Sequence, residues 1–405
     1  MKFFYILILS ILFSRAAFAN ELPAQLSIDN FKFVGAFRVT DEVINGSSFS
    51  FAAGPIGVHE KGGSLFMIGH SHQAMLAELV VPELVKSSNL FDLKIAKQVK
   101  QAFVPLLSSP KLKEKNTQSL NTITGLFHLD NQLFVNAVEY YDAPADNSDT
   151  SFIIEQADNL ENSAYKGFYK LEGAAHAAAW ISEIPQQWQK KLGGSHITGS
   201  SSFLAINSRS SMGPSAFSFD LKQALALPED STIQTNAVLD YSLEHKLMDD
   251  LYNESGKNDL WNELSAAVYG FIVPGTDTYA VFGTQSGIRS KIGYKIKQKQ
   301  GNVCAGPCAY DATDKYNYYW FFDVKELAKA HAGGIQPHQI KPYAWGQFKV
   351  PFQYDAFAKQ DLFAPIAGAA WDKHKQVLYL VLSGAGRSSL YNRTPVIAAY
   401  RIQAD

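Results

Sequence analysis

The hydrophobic pattern of this chain repeats one arrangement at four places: an apolar strand, a short turn and a second apolar strand. The four copies cover residues 56–69, 123–135, 269–283 and 366–381. The first three turn at Gly-Gly, Asp-Asn and Pro-Gly pairs. Alternating apolar residues on both sides of such pairs are typical of β-hairpins. The pattern therefore predicts an all-β chain built from repeats.

Another apolar or aromatic strand accompanies these hairpins at residues 79–84, 217–221 and 320–327. It ends at an acidic residue followed by leucine or valine. A hairpin plus an outer strand makes one propeller blade, and stacked blades leave only short, protected edges. The copies recur at about 70 to 100 residues, so long loops must join the blades. We therefore predict a β-propeller. A β-sandwich is the alternative, but a single domain of about 385 residues exceeds the usual sandwich size.

Both ends of the predicted domain look like strands. Residues 31–38 and 396–402 are apolar and alternate, and we expect them to meet in one blade. Helix is expected to be scarce, with the clearest short helices predicted over residues 183–192 and 325–331, while residues 108–121 and 247–264 look like inserted loops.

The first nineteen residues have the pattern of a secretory signal peptide. Lys2 precedes an apolar run, and Ala17-Phe18-Ala19 offers a small-residue cleavage site. The run is too short for a comfortable membrane span. We therefore expect residues 20–405 to form one domain, secreted or periplasmic, with no membrane span.

Composition narrows the classes of partner. The chain is 46% hydrophobic and 18% charged, with a formal net charge of −2. Disorder and nucleic-acid binding are therefore not expected, whereas an acidic polymer could bind through a local basic patch. The two cysteines, Cys304 and Cys308, favour a short-loop disulfide in an exported chain, with half of a zinc site as the alternative.

The chain has no Gly-x-Ser-x-Gly elbow, Walker loop, dinucleotide fingerprint or His-Glu-x-x-His helix. Histidines and tyrosines lie instead at strand ends. His70 and His72 could face a metal or an anion, or could be an ordinary polar loop end. His128 lies just before the second hairpin turn and could equally be a core residue. Tyr140 and Tyr141 end the strand that follows, and should point to opposite faces.

Arg209 follows an apolar strand among small polar residues. A guanidinium in that setting can bind a carboxylate or a sulfate with two parallel hydrogen bonds, or can form a salt bridge between blades. His196 lies among glycines that permit close approach of a ligand. Tyr269 leads the third hairpin, and Arg289 follows it, where it could extend a basic patch or simply be solvated.

Four segments carry a resemblance: residues 192–199, 208–214, 140–143 and 368–372. They resemble a wide family of exported bacterial β-propellers that includes the propeller-type ulvan lyases. The resemblance implies seven blades, whereas closure of the ring by the N- and C-terminal strands is expected from their own strand-like patterns. The resemblance also implies cleavage of a sulfated, uronate-containing polysaccharide, with His and Tyr as acid and base and Arg beside the substrate carboxylate.

The residue types also suit β-elimination, which needs a cation at the carboxylate, a base for the C5 proton and an acid for the leaving oxygen. We expect Arg209 to neutralise the carboxylate and His128 to act as the base. Tyr269 or Tyr141 would be the acid. The predicted substrate contacts are Tyr140, His196 and Arg289.

This chemistry requires no cofactor, although a structural calcium or zinc ion is compatible with the sequence. We expect a monomer that acts on an acidic polysaccharide. Two alternatives stay open. One is a non-catalytic propeller that binds carbohydrate or protein at the cell envelope, and the other is a hydrolase whose carboxylates are dispersed along the sequence.

Overall fold

The protein is described by a computed structural model over residues 22–202, 206–354, 363–389 and 391–404, and it is mainly β. The predicted signal peptide, residues 1–19, lies outside these ranges. The first twelve strands are β1 Phe31–Val39, β2 Ile56–Val58, β3 Ser64–Ile68, β4 Met75–Val80, β5 Ile95–Ala96, β6 Val99–Pro105, β7 Thr122–Leu129, β8 Gln132–Val138, β9 Ser151–Ile154, β10 Tyr165–Leu171, β11 Ile181–Glu183 and β12 His196–Thr198. The other twelve are β13 Ala216–Phe219, β14 Thr232–Ile233, β15 Asn236–Leu239, β16 Ala266–Ile272, β17 Thr278–Ser286, β18 Ile292–Tyr294, β19 Pro307–Ala309, β20 Lys315–Asp323, β21 Ala344–Gln347, β22 Ile366–Asp372, β23 Val377–Leu382 and β24 Val396–Ile402.

Helices are short and few among the described residues. The α-helices are α1 Pro110–Lys113, α2 Gln186–Leu192, α3 Leu221–Ala226 and α4 Val324–His331. The 3-10 helices are Ile28–Asn30, Leu90–Asp92, Ala157–Asn159, Ala174–His176, Asn207–Arg209 and Pro337–Gln339. Both predicted helices are present, as α2 and α4. None of the helices in the described ranges has the length and apolar character needed to cross a membrane.

The strands form five sheets of four or five strands and one two-stranded ribbon, β18–β19. Blade I is β2-β3-β4-β6, and blade II is β7-β8-β9-β10-β14. Blade III is β11-β12-β13-β15, blade IV is β16-β17-β20-β21, and blade V is β22-β23-β24-β1-β5. The first strand of each blade is the innermost. β2 contacts β7 and β22, β11 contacts β7 and β16, and β16 contacts β22. The inner strands therefore surround a common axis, as in a β-propeller.

The described chain has five blades, so the expectation of seven blades is wrong. That number came from the family resemblance and not from the four hairpins in the sequence. All four hairpins are present, as the first two strands of blades I, II, IV and V. Blade III is the additional sheet. Its first two strands, β11 and β12, have three residues each and are separated by helix α2, so they do not produce the two-sided alternation of a hairpin.

The acidic residue that closes two of the outer-strand segments caps a helix. The Asp220 side chain accepts a hydrogen bond from the backbone N–H of Gln223 at the start of α3. Asp323 accepts one from Lys325 at the start of α4. Such caps satisfy free N–H groups at a helix start. The repeated strand-acid-leucine pattern is therefore a strand followed by a capped helix.

The first and last strands of the described chain are neighbours in blade V. β1 pairs antiparallel with β24, from Phe31 opposite Ile402 to Arg38 opposite Val396. The core lies between adjacent blades, since each blade presents apolar residues to its neighbours. Phe37 and Tyr379 from blade V pack with Leu65 from blade I, for example. Each blade thus depends on the blades beside it for burial of its faces.

Strand direction gives the two ends of the central channel different character. At one end, here called the hairpin face, the inner strands turn into second strands through residues 59–63, 130–131, 273–277 and 373–376. At the other end, the loop face, longer segments follow the second strand of each blade. Both faces carry residues that the sequence singled out.

Candidate functional site

A cavity of about 650 Å³ opens at the hairpin face, around the channel axis. The C-terminal halves of all five inner strands contribute to its wall. Its polar and charged lining includes His59, Glu60, His128, Ser182, Glu183, Ser195, His196, Asp220, Lys222, Lys373 and His374. Phe127, Tyr269, Phe271 and Trp371 add aromatic surface. A concave site with aromatic walls and a few convergent polar groups is typical of small-molecule recognition.

The structure divides the predicted site residues between the two faces. His128, His196 and Tyr269 line the hairpin-face cavity. Arg209 contacts the segment after β8 and therefore lies at the loop face. The two ends of an eight-residue strand such as β7 are separated by about 20 Å. Arg209 and His128 therefore do not share one site.

A backbone N–H fixes which nitrogen of the His128 ring carries the proton. Its Nδ1 accepts the N–H of Glu60 at 2.9 Å, so the neutral ring carries its proton on Nε2. That atom is buried and has no hydrogen-bond partner among the described residues. Burial, with a smaller contribution from His59, lowers the pKa of His128 to about 4. The side chain is thus a neutral imidazole, and its one available lone pair, on Nδ1, already accepts the Glu60 N–H.

His59 and His128 lie side by side next to Asp158. Their rings are 4.5 Å apart, and the Nε2 of His59 lies 2.9 Å from Asp158 Oδ1. These three side chains form one of two groups whose ligand atoms are close enough to hold a cation. A metal at His128 Nε2 needs that nitrogen without its proton, and the neutral ring then carries the proton on Nδ1. The Glu60 N–H already points at Nδ1, so the described geometry does not fit a metal at this group.

His196 differs from His128 because a hydroxyl faces its Nδ1. Ser195 Oγ lies 2.9 Å from that nitrogen and also accepts the N–H of Leu221 at 3.2 Å. A hydroxyl can donate or accept, so both neutral tautomers of His196 are compatible with the site. Burial, then the nearby Lys373 ammonium, lowers the pKa of His196 to about 3. The ring is neutral and can present a free Nε2 lone pair to the cavity.

Tyr269 is a buried phenol at the base of the cavity. It is 5% exposed, and its Oη accepts the backbone N–H of Trp371 at 3.0 Å. Burial raises the pKa of Tyr269 well above its usual value of 10. The phenol therefore keeps its proton at neutral pH. The Trp371 ring stacks on Phe271, with centroids 5.4 Å apart and an interplanar angle of 23°.

Three carboxylates line the cavity, and each has a structural partner. Glu60 accepts the N–H of Asp130 at 2.6 Å. Glu183 pairs with Lys373 at 2.8 Å across the rim, where both side chains are about half exposed. Asp220 caps helix α3. None of these partners is a second carboxylate, so this wall does not favour the paired acid and base of a glycosidase.

The loop face collects the remaining predicted residues. Arg209 donates from Nε to the carbonyl of Asp142 at 3.2 Å and from Nη2 to that of Ala143 at 2.8 Å. Tyr140 and Tyr141, just before these carbonyls, are 55% and 60% exposed. Arg209 therefore helps to hold the loop that carries the two tyrosines. Its guanidinium is neither fully free to bind a substrate carboxylate nor part of a salt bridge with a described residue of another blade.

Each blade contributes a histidine, tyrosine or arginine to this face. The loops after β3, β8, β12, β17 and β23 carry His70 and His72, Tyr140 and Tyr141, Arg209, Arg289, and Arg387 and Arg393, respectively. Arg289 is 69% exposed and lies 3.6 Å from Asp314. The second group with cation-site geometry, Glu139, Asp142 and Asp146, is also here. At this end of the channel, the first residues of the inner strands, among them Thr122, Ala267 and Ile366, line a smaller cavity of about 250 Å³.

Sequence reasoning missed several cavity residues. Glu60 and Lys373 belong to hairpin turns, where charged residues usually mean solvent exposure. Trp371 belongs to segment 368–372, which the sequence marks for function only through the family resemblance. Their positions in the sequence could have identified them, because all three lie at the turn end of the first or fourth hairpin.

Comparisons with known proteins leave the function open. No known family's sequence profile matches the chain, and no curated protein is significantly similar to it. Solved structures with some similarity include a DUF4221 family member from Bacteroides vulgatus, at 9% identity, TM-score 0.36, 93% of this chain and 99% of that one. BamB from Moraxella catarrhalis has 11% identity and TM-score 0.29, over 96% and 99%. The WD40 repeats of RRP9 have 9% identity and TM-score 0.33, over 85% and 78%. At these values the similarities carry no argument about activity.

Proposed function

We propose that this protein is a polysaccharide lyase that cleaves a uronate-containing chain by β-elimination in the hairpin-face cavity. The observation that carries the proposal is the meeting of three groups in one cavity: a phenol that keeps its proton, a neutral imidazole and an ammonium group. They are Tyr269, His196 and Lys373. The aromatic wall at Trp371 offers a flat surface against which a sugar ring can pack.

In the proposed reaction, the substrate carboxylate takes the place of Glu183 beside the Lys373 ammonium, and this contact makes the C5 proton more acidic. His196 Nε2 removes that proton, and the electron pair forms the C4–C5 double bond as the C4–O4 bond breaks. The Tyr269 phenol donates its proton to the departing oxygen, which leaves as a hydroxyl. A bound carboxylate would also raise the pKa of His196, because a nearby anion favours the imidazolium form.

This assignment changes two roles that the sequence suggested. Lys373 replaces Arg209 at the carboxylate, since Arg209 lies at the other face. His196 replaces His128 as the base, since the Nδ1 of His128 is already occupied by the Glu60 N–H. The sulfated, ulvan-like identity of the substrate rests on the family resemblance alone. Location outside the cytoplasm rests on the predicted signal peptide and on the Cys304–Cys308 disulfide, which the structure contains.

No step of this proposal uses a metal. A structural calcium or zinc ion stays a prediction: Glu139, Asp142 and Asp146 have the spacing of a cation site, whereas the geometry at His59 and His128 does not fit a metal. Elemental analysis of the purified protein before and after dialysis against EDTA measures occupancy directly.

The test compares matched tyrosine variants. Tyr269→Phe removes the acid but keeps the ring, and we expect it to lower the rate of unsaturated-product formation by about 10²–10⁴-fold. Tyr400→Phe removes a buried hydroxyl outside the cavity and should leave the rate unchanged. The measurement is ultraviolet absorbance of the new double bond, with a panel of sulfated and unsulfated polyuronates.

An Arg209→Ala variant is also tested, because it distinguishes a reaction at the loop face from one in the hairpin-face cavity. Unchanged activity supports the cavity, whereas complete loss together with an active Tyr269→Phe variant assigns the reaction to the loop face and contradicts the proposal.

A second candidate function is non-catalytic carbohydrate binding in the same cavity. The observation that favours it is the aromatic wall formed by Trp371 and Phe271, which a sugar ring can pack against without any proton transfer. Binding of a polyuronate without any unsaturated product or new reducing end, and loss of that binding in Trp371→Ala, would support this alternative.

A further inference from the structure

The segment between β17 and β20 forms a cationic hairpin, here called the ribbon and defined as residues 291–310. It contains four lysines, Lys291, Lys295, Lys297 and Lys299, and no acidic residue. The ribbon thus has a formal charge of +4 in a chain whose net charge is −2, which leaves −6 on all other residues. Such a local reversal of charge is expected where a polyanion binds.

Three of these lysines are exposed and lie outside ion pairs, although nearby hydrogen bonds and, to a smaller extent, the Lys299 ammonium lower the pKa of Asp311, just beyond the ribbon. Lys295, Lys297 and Lys299 are exposed, and none of them forms an ion pair with a described residue. Lys291 is used internally, since its Nζ donates to the carbonyl of Glu254 at 2.6 Å. Residues two apart along an extended strand are separated by about 7 Å, which is within the Debye length of about 8–10 Å, so the fields of neighbouring ribbon lysines add at the surface.

The ribbon is braced and therefore presents these charges on an ordered backbone. Lys297 pairs across the hairpin with Val303, and Lys295 N donates to the carbonyl of Gly306 at 2.9 Å. The Cys304–Cys308 disulfide closes the returning strand. An ordered site loses less conformational entropy when a ligand binds than a mobile lysine-rich loop does.

Exposed tyrosines flank the lysines. Tyr294 and Tyr310 are 57% and 46% exposed, and the Lys295 ammonium lies 5.1 Å from the centroid of the Tyr294 ring. Cations beside aromatic faces suit a polymer of pyranose rings with anionic substituents, because the rings can pack on the apolar faces of the sugars. Val303, at 84%, is the only aliphatic residue of the ribbon among the large exposed hydrophobic residues, which is little for insertion into a lipid surface.

We infer that the ribbon binds a linear polyanionic polysaccharide bearing carboxylate or sulfate groups, at a surface separate from the cavity. The disulfide within the ribbon favours this partner over nucleic acid, since such bonds persist in oxidising compartments outside the cytoplasm. The ribbon follows β17 at the loop face. The inference thus goes beyond the proposed function and requires no reaction at the hairpin face.

The experiment uses the full mature protein, residues 20–405, and two triple variants with the same change in net charge. Lys295→Gln/Lys297→Gln/Lys299→Gln removes these three ribbon lysines. Lys86→Gln/Lys94→Gln/Lys97→Gln removes three exposed lysines elsewhere on the surface. Affinities for immobilised heparin, polygalacturonate and neutral dextran are measured at low and at physiological salt.

We expect the affinity of the ribbon variant for the two acidic polymers to fall by about tenfold. The affinity of the control variant should change by less than about twofold. Binding should weaken with salt, because lysine–anion contacts release counterions, and dextran should not bind. Equal losses in both triple variants, or none in either, would overturn the inference. So would stronger lysine-dependent binding to phosphatidylglycerol vesicles or single-stranded DNA.

The cavity variant Tyr269→Phe separates this inference from the proposed function. If it abolishes product formation but retains polymer affinity, both hold. Loss of ribbon-dependent affinity with normal product formation refutes the ribbon alone. Retained ribbon-dependent affinity with no product from the wild-type protein refutes the lyase alone.

Discussion

At the scale of single residues, protonation in the cavity is decided by what each ring nitrogen faces. A backbone N–H faces His128 Nδ1, whereas a serine hydroxyl faces His196 Nδ1. The first partner can only donate, and the second can donate or accept. Two histidines that look alike in the sequence therefore have different chemical capacities.

Both histidines should make the fold sensitive to acid. Their pKa values are lowered to about 4 for His128 and about 3 for His196, below the usual 6.5. The unfolded chain thus binds protons first as the pH falls, and stability is lost progressively below about pH 6.5. For His128 alone the shift corresponds to about 3 kcal/mol between pH 7 and pH 4.

Denaturant unfolding at several pH values measures this loss. His128→Asn keeps an acceptor for the Glu60 N–H but cannot titrate. We expect it to lower stability at pH 7 and to flatten the pH dependence between pH 6.5 and 4. An unchanged pH profile in this variant would show that His128 contributes nothing to it.

Residue types predicted part of the site. His128, His196 and Tyr269 do meet in one cavity, because His128 and Tyr269 lie on the inner strands β7 and β16 and His196 begins β12 at the same face. Arg209, Tyr140, Tyr141 and Arg289 are at the other end. The sequence contains the strands but not their directions around the axis, and direction decides which face a residue occupies.

At the scale of elements, the inner strands require glycine where neighbouring blades touch. A Cβ on Gly125 of β7 would overlap the carbonyl oxygen of Ala179, just before β11. That carbonyl also accepts the side-chain amide of Asn136 at 2.9 Å, so it cannot move away freely. The contact therefore fixes the spacing between blades II and III.

Gly125→Ala should destabilise the protein by about 3 kcal/mol, through overpacking at this contact. Gly334→Ala is the matched control, because its Cβ would meet only Lys329 O at 3.4 Å, and its effect should stay within about 0.5 kcal/mol. Midpoints of chemical unfolding measure both. Similar midpoints for the two variants would mean that the blade contact adjusts without cost.

Element types were largely predictable, while the element count was not. Long alternating strands such as β16 and β17 produce a clear signal over seven and nine residues. The three-residue strands β11 and β12 are too short for alternation to be recognised. Their burial by neighbouring blades, rather than local pattern, makes them strands, so blade III could not be seen in the sequence.

At the scale of the whole molecule, blade V joins both ends of the described chain. Val396, Ile397, Ala398 and Ala399 of β24 are fully buried, between β23 on one side and β1 on the other. Removing this strand exposes the core of blade V and leaves both neighbours unpaired.

Deletion of residues 396–405 should therefore abolish cooperative unfolding, whereas deletion of residues 404–405 should preserve it. Thermal unfolding followed by near-ultraviolet circular dichroism distinguishes the two. A sharp transition in the shorter chain would contradict the dependence of blade V on its last strand.

The pairing of Phe31 with Ile402 also constrains the order in which the parts of blade V can fold. One of the first strands to leave the ribosome must wait for the last strand before it gains that partner, so the contact has nearly the greatest sequence separation that the chain allows. Contacts of this kind form late, because the entropy of closing the long intervening loop has to be overcome first. A growing chain therefore cannot complete blade V until residue 402 has been added, and β1 lacks this partner until then.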